Sequence, residues 1–337
     1  MKFINENKLL IAVTCIIIPF TLYAIFSNYA ESPVDNRNVS VTIEIPKGAN
    51  YSNVTALLDK AGLIKHERLF HLLARLKNAP THIRAGEYDL SSSMSPADII
   101  DKLIKGEIKG YRVPIPEGFN IRQIAARLAA IKLVNEEEFI KAASDPKFVS
   151  SLGIDSSSVE GYLFPDTYIL SRSMGAKKTI KFMVGRFRQA VTPKMLGRAR
   201  ELGFSTSEFV TLASIIEKEG GTKEEKALIS AVFHNRLKKR MRLQSDPTVI
   251  YGMKSFDGNI KKKHLREKTP YNTYTIKGLP PGPISNPGLD SLLATLYPAP
   301  VNYLYFVSKN NGSHHFSSNL TSHNKAVLKY QIKRRKR

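Results

Sequence analysis

The stretch Leu212-Ala-Ser-Ile-Ile-Glu-Lys-Glu219 places two carboxylates at the end of an otherwise apolar run. Upstream, Ser205 and Ser207 are candidate N-caps. Phe209, Val210, Leu212, Ala213, Ile215 and Ile216 recur at helical spacing, which predicts a largely buried helix. At about 100° per residue, Glu217 and Glu219 fall about 200° apart, on opposite edges of the apolar stripe. They therefore cannot face one bond together as a paired acid and nucleophile. Helical geometry does not choose between them, and a Glu at a helix edge before Gly220-Gly221 is ordinarily just solvated.

Two later segments are Arg242-Leu-Gln-Ser-Asp-Pro-Thr-Val-Ile-Tyr-Gly252 and Tyr271-Asn-Thr-Tyr-Thr-Ile-Lys-Gly-Leu-Pro-Pro-Gly-Pro-Ile-Ser-Asn-Pro-Gly288. Both are dense in Tyr, Asn, Gln and Asp on a backbone shaped by Gly and Pro, as a groove for a polar polymer requires. Gln244 offers an amide that can both donate to and accept from a polar ligand. Asp246, before a proline, either touches substrate or caps the segment after it. Tyr271 and Tyr274 offer ring faces for stacking, and Asn272 an amide for hydroxyls. Arg236, in Phe233-His-Asn-Arg-Leu237, either holds a substrate group or makes a salt bridge in the wall.

These words resemble, in order and spacing, those of the endolytic murein transglycosylases, the MltG or YceG-like family, and the resemblance runs from the N-terminal apolar segment almost to the C-terminus. Matched word by word, it picks Glu217, directly after Ala213-Ser-Ile-Ile216, as the catalytic residue. It implies that Glu160, Tyr162 and Asp166, in Glu160-Gly-Tyr-Leu-Phe-Pro-Asp-Thr-Tyr168, line the cleft. It adds His323 and Asn324, in the closing His315-Phe-Ser-Ser-Asn-Leu-Thr-Ser-His-Asn324; a cap at Asn319 or Ser322 is the plainer role there. One carboxylate is enough for lytic transglycosylation, because the C6 hydroxyl of the same N-acetylmuramic acid is the nucleophile and the reaction is intramolecular. The acid protonates the leaving oxygen and then takes the hydroxyl proton. No metal or organic cofactor is needed. The departure from the family's pattern is Gly220-Gly221, which loosens the helix end.

Before these motifs the chain repeats itself. Residues 41–74 and 111–144 align without gaps at an offset of 70, with Ile43-Glu-Ile-Pro-Lys-Gly48 on Val113-Pro-Ile-Pro-Glu-Gly118. Each copy reads as a strand, a glycine turn, an amphipathic helix and a second helix, starting near His66 and Asn135. Such a unit resembles the LysM-like module that binds N-acetylhexosamine polymers; a plain scaffold fits equally. Arg84 to Leu90 predicts a closing strand, and Ser95-Pro96 a helix start.

Leu9 to Phe26 is apolar for 18 residues, near the roughly 20 that span a bilayer. Lys2 and Lys8 precede it, and Ser27 to Asp35 carries Glu31 and Asp35 without Lys or Arg. The positive-inside rule then puts the N-terminus in the cytoplasm. A cleaved signal peptide competes, but the apolar region is longer than usual. The net charge of +22 suggests nucleic acid or a negatively charged surface, and an extracytoplasmic placement favours the second. The basic tail Lys333 to Arg337 either touches an anionic surface or is simply solvated. The sole cysteine, Cys15, excludes an internal disulfide and a Cys-based metal site.

The sequence thus predicts an α+β protein. Its expected parts are a cytoplasmic start (1–8), a transmembrane helix (9–26), a linker (27–40), a LysM-like repeat region (41–150), a YceG-like catalytic domain (151–330) and a basic tail (331–337). The resemblance implies a single-pass protein of the inner (cytoplasmic) membrane. It would cut nascent peptidoglycan at the MurNAc-β-1,4-GlcNAc bond, leave 1,6-anhydro ends, and limit strand elongation beside peptidoglycan synthases. Two alternatives remain: a hydrolytic muramidase, with Asp246 or Glu160 as second carboxylate, and a non-catalytic glycan-binding scaffold.

Overall fold

The computed structural model describes residues 2–253 and 255–332, so the basic tail from Lys333 onward lies outside the described residues. The chain divides into two compact units, residues 1–111 with 171–173, and residues 112–170 with 174–337. The division expected at 150/151 is not where they part.

The first unit holds helix α1 (Lys2–Glu31), strand β1 (Ser40–Ile45), helices α2 (Tyr51–Lys60) and α3 (Glu67–Leu76), strand β2 (Gly86–Ser91) and helix α4 (Pro96–Lys105). β1 and β2 pair antiparallel, with Ile43 opposite Tyr88 and Val41 opposite Leu90. Alternation turns Ile43 and Ile45 inward, where they meet Val54, Leu58, Phe70, Tyr88, Ile99 and Leu103. Ser95 caps α4 in a capping box with Asp98, ahead of Pro96. α1 continues past the apolar segment: Ile16, Phe20 and Tyr23 are exposed, whereas Phe26, Tyr29 and Ala30 pack on the unit's core. One N-terminal apolar helix of this length is consistent with a single-pass membrane anchor. The linker expected from residue 27 is therefore helix as far as Glu31.

The second unit repeats the pattern. β3 (Tyr111–Pro114) leads into α5 (Ile121–Ala130), α6 (Glu136–Ala143) and α7 (Pro146–Ser151), and β4 (Thr167–Leu170) returns to pair with β3. α5 lies 70 residues after α2 at both ends, so the sequence offset is an offset of structure. Then follow α8 (Gly175–Ala190), α9 (Pro193–Glu201), α10 (Thr206–Glu219), α11 (Lys223–Lys238), α12 (Asp246–Gly252), α13 (Lys262–Arg266), α14 (Leu289–Leu296), β5 (Tyr305–Ser308), β6 (His314–Ser317) and α15 (Leu320–Val327). β5 and β6 form a two-stranded antiparallel pair. β5 is thus a hairpin arm, and its Phe306 meets Phe233 of α11, 6.0 Å between ring centres.

α10 is the axis of this unit. Ser205 and Glu208 close a capping box at its start. Every residue from Phe209 to Ile216 is buried, and each large apolar side chain there contributes roughly 1.5–3 kcal/mol. The helix stops where Gly220 and Gly221 take positive φ, 74° and 92°. Ser214 fixes the 284–286 loop by accepting from the Ile284 amide at 3.0 Å and offering its carbonyl to Ser285. Gly161 is required where it stands: its φ is +87°, and a Cβ would lie 2.6–2.7 Å from Pro283 and Val210.

Candidate active site

The end of α10 carries its two glutamates into different surroundings. Oε2 of Glu217 accepts from three donors: the Ser291 hydroxyl at 2.6 Å, the Gly288 amide at 3.1 Å and the Lys226 ammonium at 3.2 Å. Its side chain is 9% exposed. Lys226, on α11, also faces Glu117 at 3.7 Å. The Glu117 carboxyl lies where a Cβ on Gly288 would go. Burial, and then the nearby Glu217, push Glu117 above the ordinary carboxyl range. Glu217 thus clamps α10 to α11 and to the start of α14. Its hydrogen-bonded oxygen is already filled by three donors, one of them charged.

Glu219 faces the other way. Oε1 accepts from the Ser245 hydroxyl. Burial pushes its pKa up to about 7, against the lowering pull of the Ser245 bond, with Asp246 adding to the rise and Arg236 opposing it. Around it gather several residues singled out by sequence. Tyr274 donates its hydroxyl to Asp246 at 2.7 Å. Arg236 stacks its guanidinium 5.2 Å from the Tyr305 ring centre. His323 stacks on the same Tyr305 ring, 5.1 Å between centres, and its Nδ1 is buried with no hydrogen-bond partner among the described residues. Gln244 is exposed and sits at φ +51°, its backbone amide bonded to the Thr273 carbonyl. A non-glycine residue in that region is strained by on the order of 1 kcal/mol. Asn324 lies exposed on α15, next to His323, and Asn319 caps that helix by accepting from the Ser322 amide.

Other expected substrate contacts are occupied by the protein itself. Arg236 donates to the carbonyls of Leu304 and Leu243, both at 2.7 Å, and so ties two segments of the wall. Asn272 is fully buried; its amide donates to the carbonyls of His264, Leu265 and Glu267 and accepts from Tyr274 N–H, closing the loop before it. Tyr271 packs against Tyr251, 4.8 Å between ring centres. Glu160 is buried and accepts from the Ile121 amide at the start of α5, from Tyr251 and from Asn286; burial pushes it up to about 7. Asp166 pairs with Arg186 at 2.5 Å, and Tyr162 is buried against Phe187. The bonds of Tyr162, Asp166 and Asn272 thus lead into the fold and not to either glutamate of α10.

Sequence reasoning missed Ser245, Glu117, Lys226 and Ser291 as partners of the two glutamates. Glu117 carried a signal, since it departs from Lys47 at the equivalent position of the other repeat copy. Asn286 was also overlooked. It joins 118–121 to 160–163 through the Phe119 carbonyl, the Leu163 amide and Glu160.

Fold and site define a mixed α+β protein in which a buried helix ends in an acid with elevated pKa, walled by Tyr, Asp and Arg. The YceG-like family model matches residues 43–329, and the chain belongs to that family. A Bacillus subtilis protein named endolytic murein transglycosylase is 34% identical over 315 residues, covering 88% of this chain and 87% of that protein. A Streptococcus pneumoniae protein of the same name is 32% identical over 331 residues, covering 88% and 60% respectively. The crystal structure of a YceG-like protein from Listeria monocytogenes matches with a TM-score of 0.60 at 34% identity, over 86% of this chain and 99% of that one.

Proposed function

We propose that this protein is an endolytic murein transglycosylase in which Glu219, rather than Glu217, moves the proton. The observation that carries the reading is the setting of Glu219: its carboxyl accepts from the Ser245 hydroxyl beside the linked pair Asp246 and Tyr274, and burial raises its pKa to about 7, in a chain whose relatives bear that name. A group with pKa close to the working pH can both give and take a proton. Protonated Glu219 donates to the glycosidic oxygen as the C1–O bond breaks. The resulting carboxylate removes the proton from the muramoyl C6 hydroxyl, whose oxygen closes on C1. A 1,6-anhydro end forms and no water is consumed. The Asp246 carboxylate faces the positive charge that develops at C1. Tyr274 holds Asp246, and the exposed Gln244 presents its amide to an N-acetyl group.

The second reading, a muramidase, is favoured by the closeness of Asp246, which adds to the rise at Glu219: a second carboxylate that activates water would give hydrolysis. Cleavage of purified peptidoglycan followed by mass spectrometry decides between them. Internal fragments one water lighter than muramidase products, lost with Glu219→Gln and retained with Glu217→Gln, support the proposal. Full-mass reducing ends point to the muramidase. Loss with Glu217→Gln alone returns the role to Glu217.

The remaining organisation is read to match. α1 is a single-pass anchor with its N-terminus in the cytoplasm, and both units lie outside, where peptidoglycan grows. The two strand–helix–helix–strand copies act as LysM-like glycan-docking modules that feed strands to the cleft. Cleavage beside the synthases limits strand length.

A further inference from the structure

A cavity of about 590 Å³ lies in the second unit and shares two chain segments with the Glu219 site. Lys218, one residue before Glu219, and Pro247, one after Asp246, both line it. Its walls include apolar side chains such as Ile250, Phe256 and Ile284. Two cations stand in this lining without a carboxylate partner among the described residues. Lys218 donates to the Gly118 carbonyl at 3.2 Å. Arg122 is exposed, and its side chain makes no ion pair or hydrogen bond among the described residues. The acid in the wall, Glu160, does not answer them, since both its oxygens are taken by Ile121, Tyr251 and Asn286.

The geometry points to a subsite for the peptide stem of the muramoyl residue, an inference that rests on the reading of the Glu219 site. A ligand for this cavity carries a free carboxylate and small alkyl groups on a chain that leaves the sugar being cut. The stem is such a ligand: it branches from the muramoyl lactyl group, bears methyl groups, and holds carboxylates within a few bonds. The volume falls within the range of small-molecule pockets and fits the first residues of the stem. Arg122 pairs with its carboxylate in a fork that Lys218 reinforces.

The test uses the full-length protein in detergent micelles with two glycan substrates, uncrosslinked strands bearing stems and the same strands stripped of stems by an amidase. The expected result is a KM about tenfold lower for stem-bearing strands, a ratio that falls toward one in Arg122→Gln. A wild-type ratio of one, or a ratio unchanged by Arg122→Gln, overturns the subsite. Direct binding of fluorescent muramoyl pentapeptide to Glu219→Gln protein separates this inference from the catalytic one. Affinity about tenfold weaker on adding Arg122→Gln supports the subsite even if neither glycan is cleaved, and equal affinity overturns it even if both are.

Discussion

Replacing Glu219 with glutamine is expected to make the protein more stable at alkaline pH while sharply lowering turnover. The folded-state pKa of Glu219 is raised from 4.5 to about 7, chiefly by burial. Between those values the native state binds more protons than the unfolded chain, so this residue's contribution to stability falls as pH rises through the window and is fully lost above it. A shift of that size corresponds to about 3 kcal/mol at 1.36 kcal/mol per unit. Glutamine keeps the oxygen that accepts from Ser245 and carries no charge to bury. Calorimetric unfolding of the full chain in micelles, wild type beside Glu219→Gln, then shows little difference near pH 5 and a gain of about 3 kcal/mol near pH 8. For a unit of this size that gain is about 6–12 °C in Tm. Glu160 titrates in the same direction but is common to both proteins and cancels in the difference. A variant whose Tm difference is flat across pH, or negative at pH 8, refutes the account of Glu219 as a buried, poised acid.

Turnover should fall about a thousandfold in Glu219→Gln, as for loss of a general acid, and its wild-type rate should decline as pH climbs through about 7, where the donor loses its proton. A rate that keeps rising past that point argues for a different donor. Glu217→Gln should unfold about 2 kcal/mol more easily at neutral pH, because Lys226 loses a buried partner, yet it should still cut glycan within about tenfold of wild type. Asn286→Ala unpairs the buried Leu163 amide and removes one of the donors to Glu160 and should cost about 2 kcal/mol in urea unfolding; a loss below about 1 kcal/mol would show that water replaces it. Gly161→Ala combines positive φ with a clash against Pro283 and Val210, so poor yield of folded protein is expected, read by size-exclusion chromatography.

Much of this fold is legible in the sequence alone. The 70-residue offset predicts two like units, because strand and helix periods survive in short windows of sequence. The caps at Ser95, Ser205 and Asn319 are local and therefore readable. What fails is non-local. The two glutamates of α10 lie on opposite edges of one apolar stripe, and only distant chain gives them different surroundings: Ser245 and Asp246 on one side, Lys226, Gly288 and Ser291 on the other. Matching by motif selects Glu217, and nothing within the motif shows that its Oε2 meets donors from as far as some seventy residues downstream. The partners of Asn272 are hidden from the motif for the same reason. An amide beside tyrosines looks like a sugar contact until its loop folds back and takes the bonds it has to offer.

The docking of α1 bears on how this protein meets its surroundings. Ala30 is buried in the first unit's core, Phe26 and Tyr29 pack beside it, and the Tyr29 hydroxyl bonds to the His66 carbonyl. Where the earlier part of that helix crosses a bilayer, the first unit is not tethered like a buoy on a line. It is mounted on a rigid post, whose height above the lipid is set by a rise of about 1.5 Å per residue. Tilting the post tilts the unit with it. Inserting a few glycines after Phe26 would turn the mount into a leash and let the unit drift.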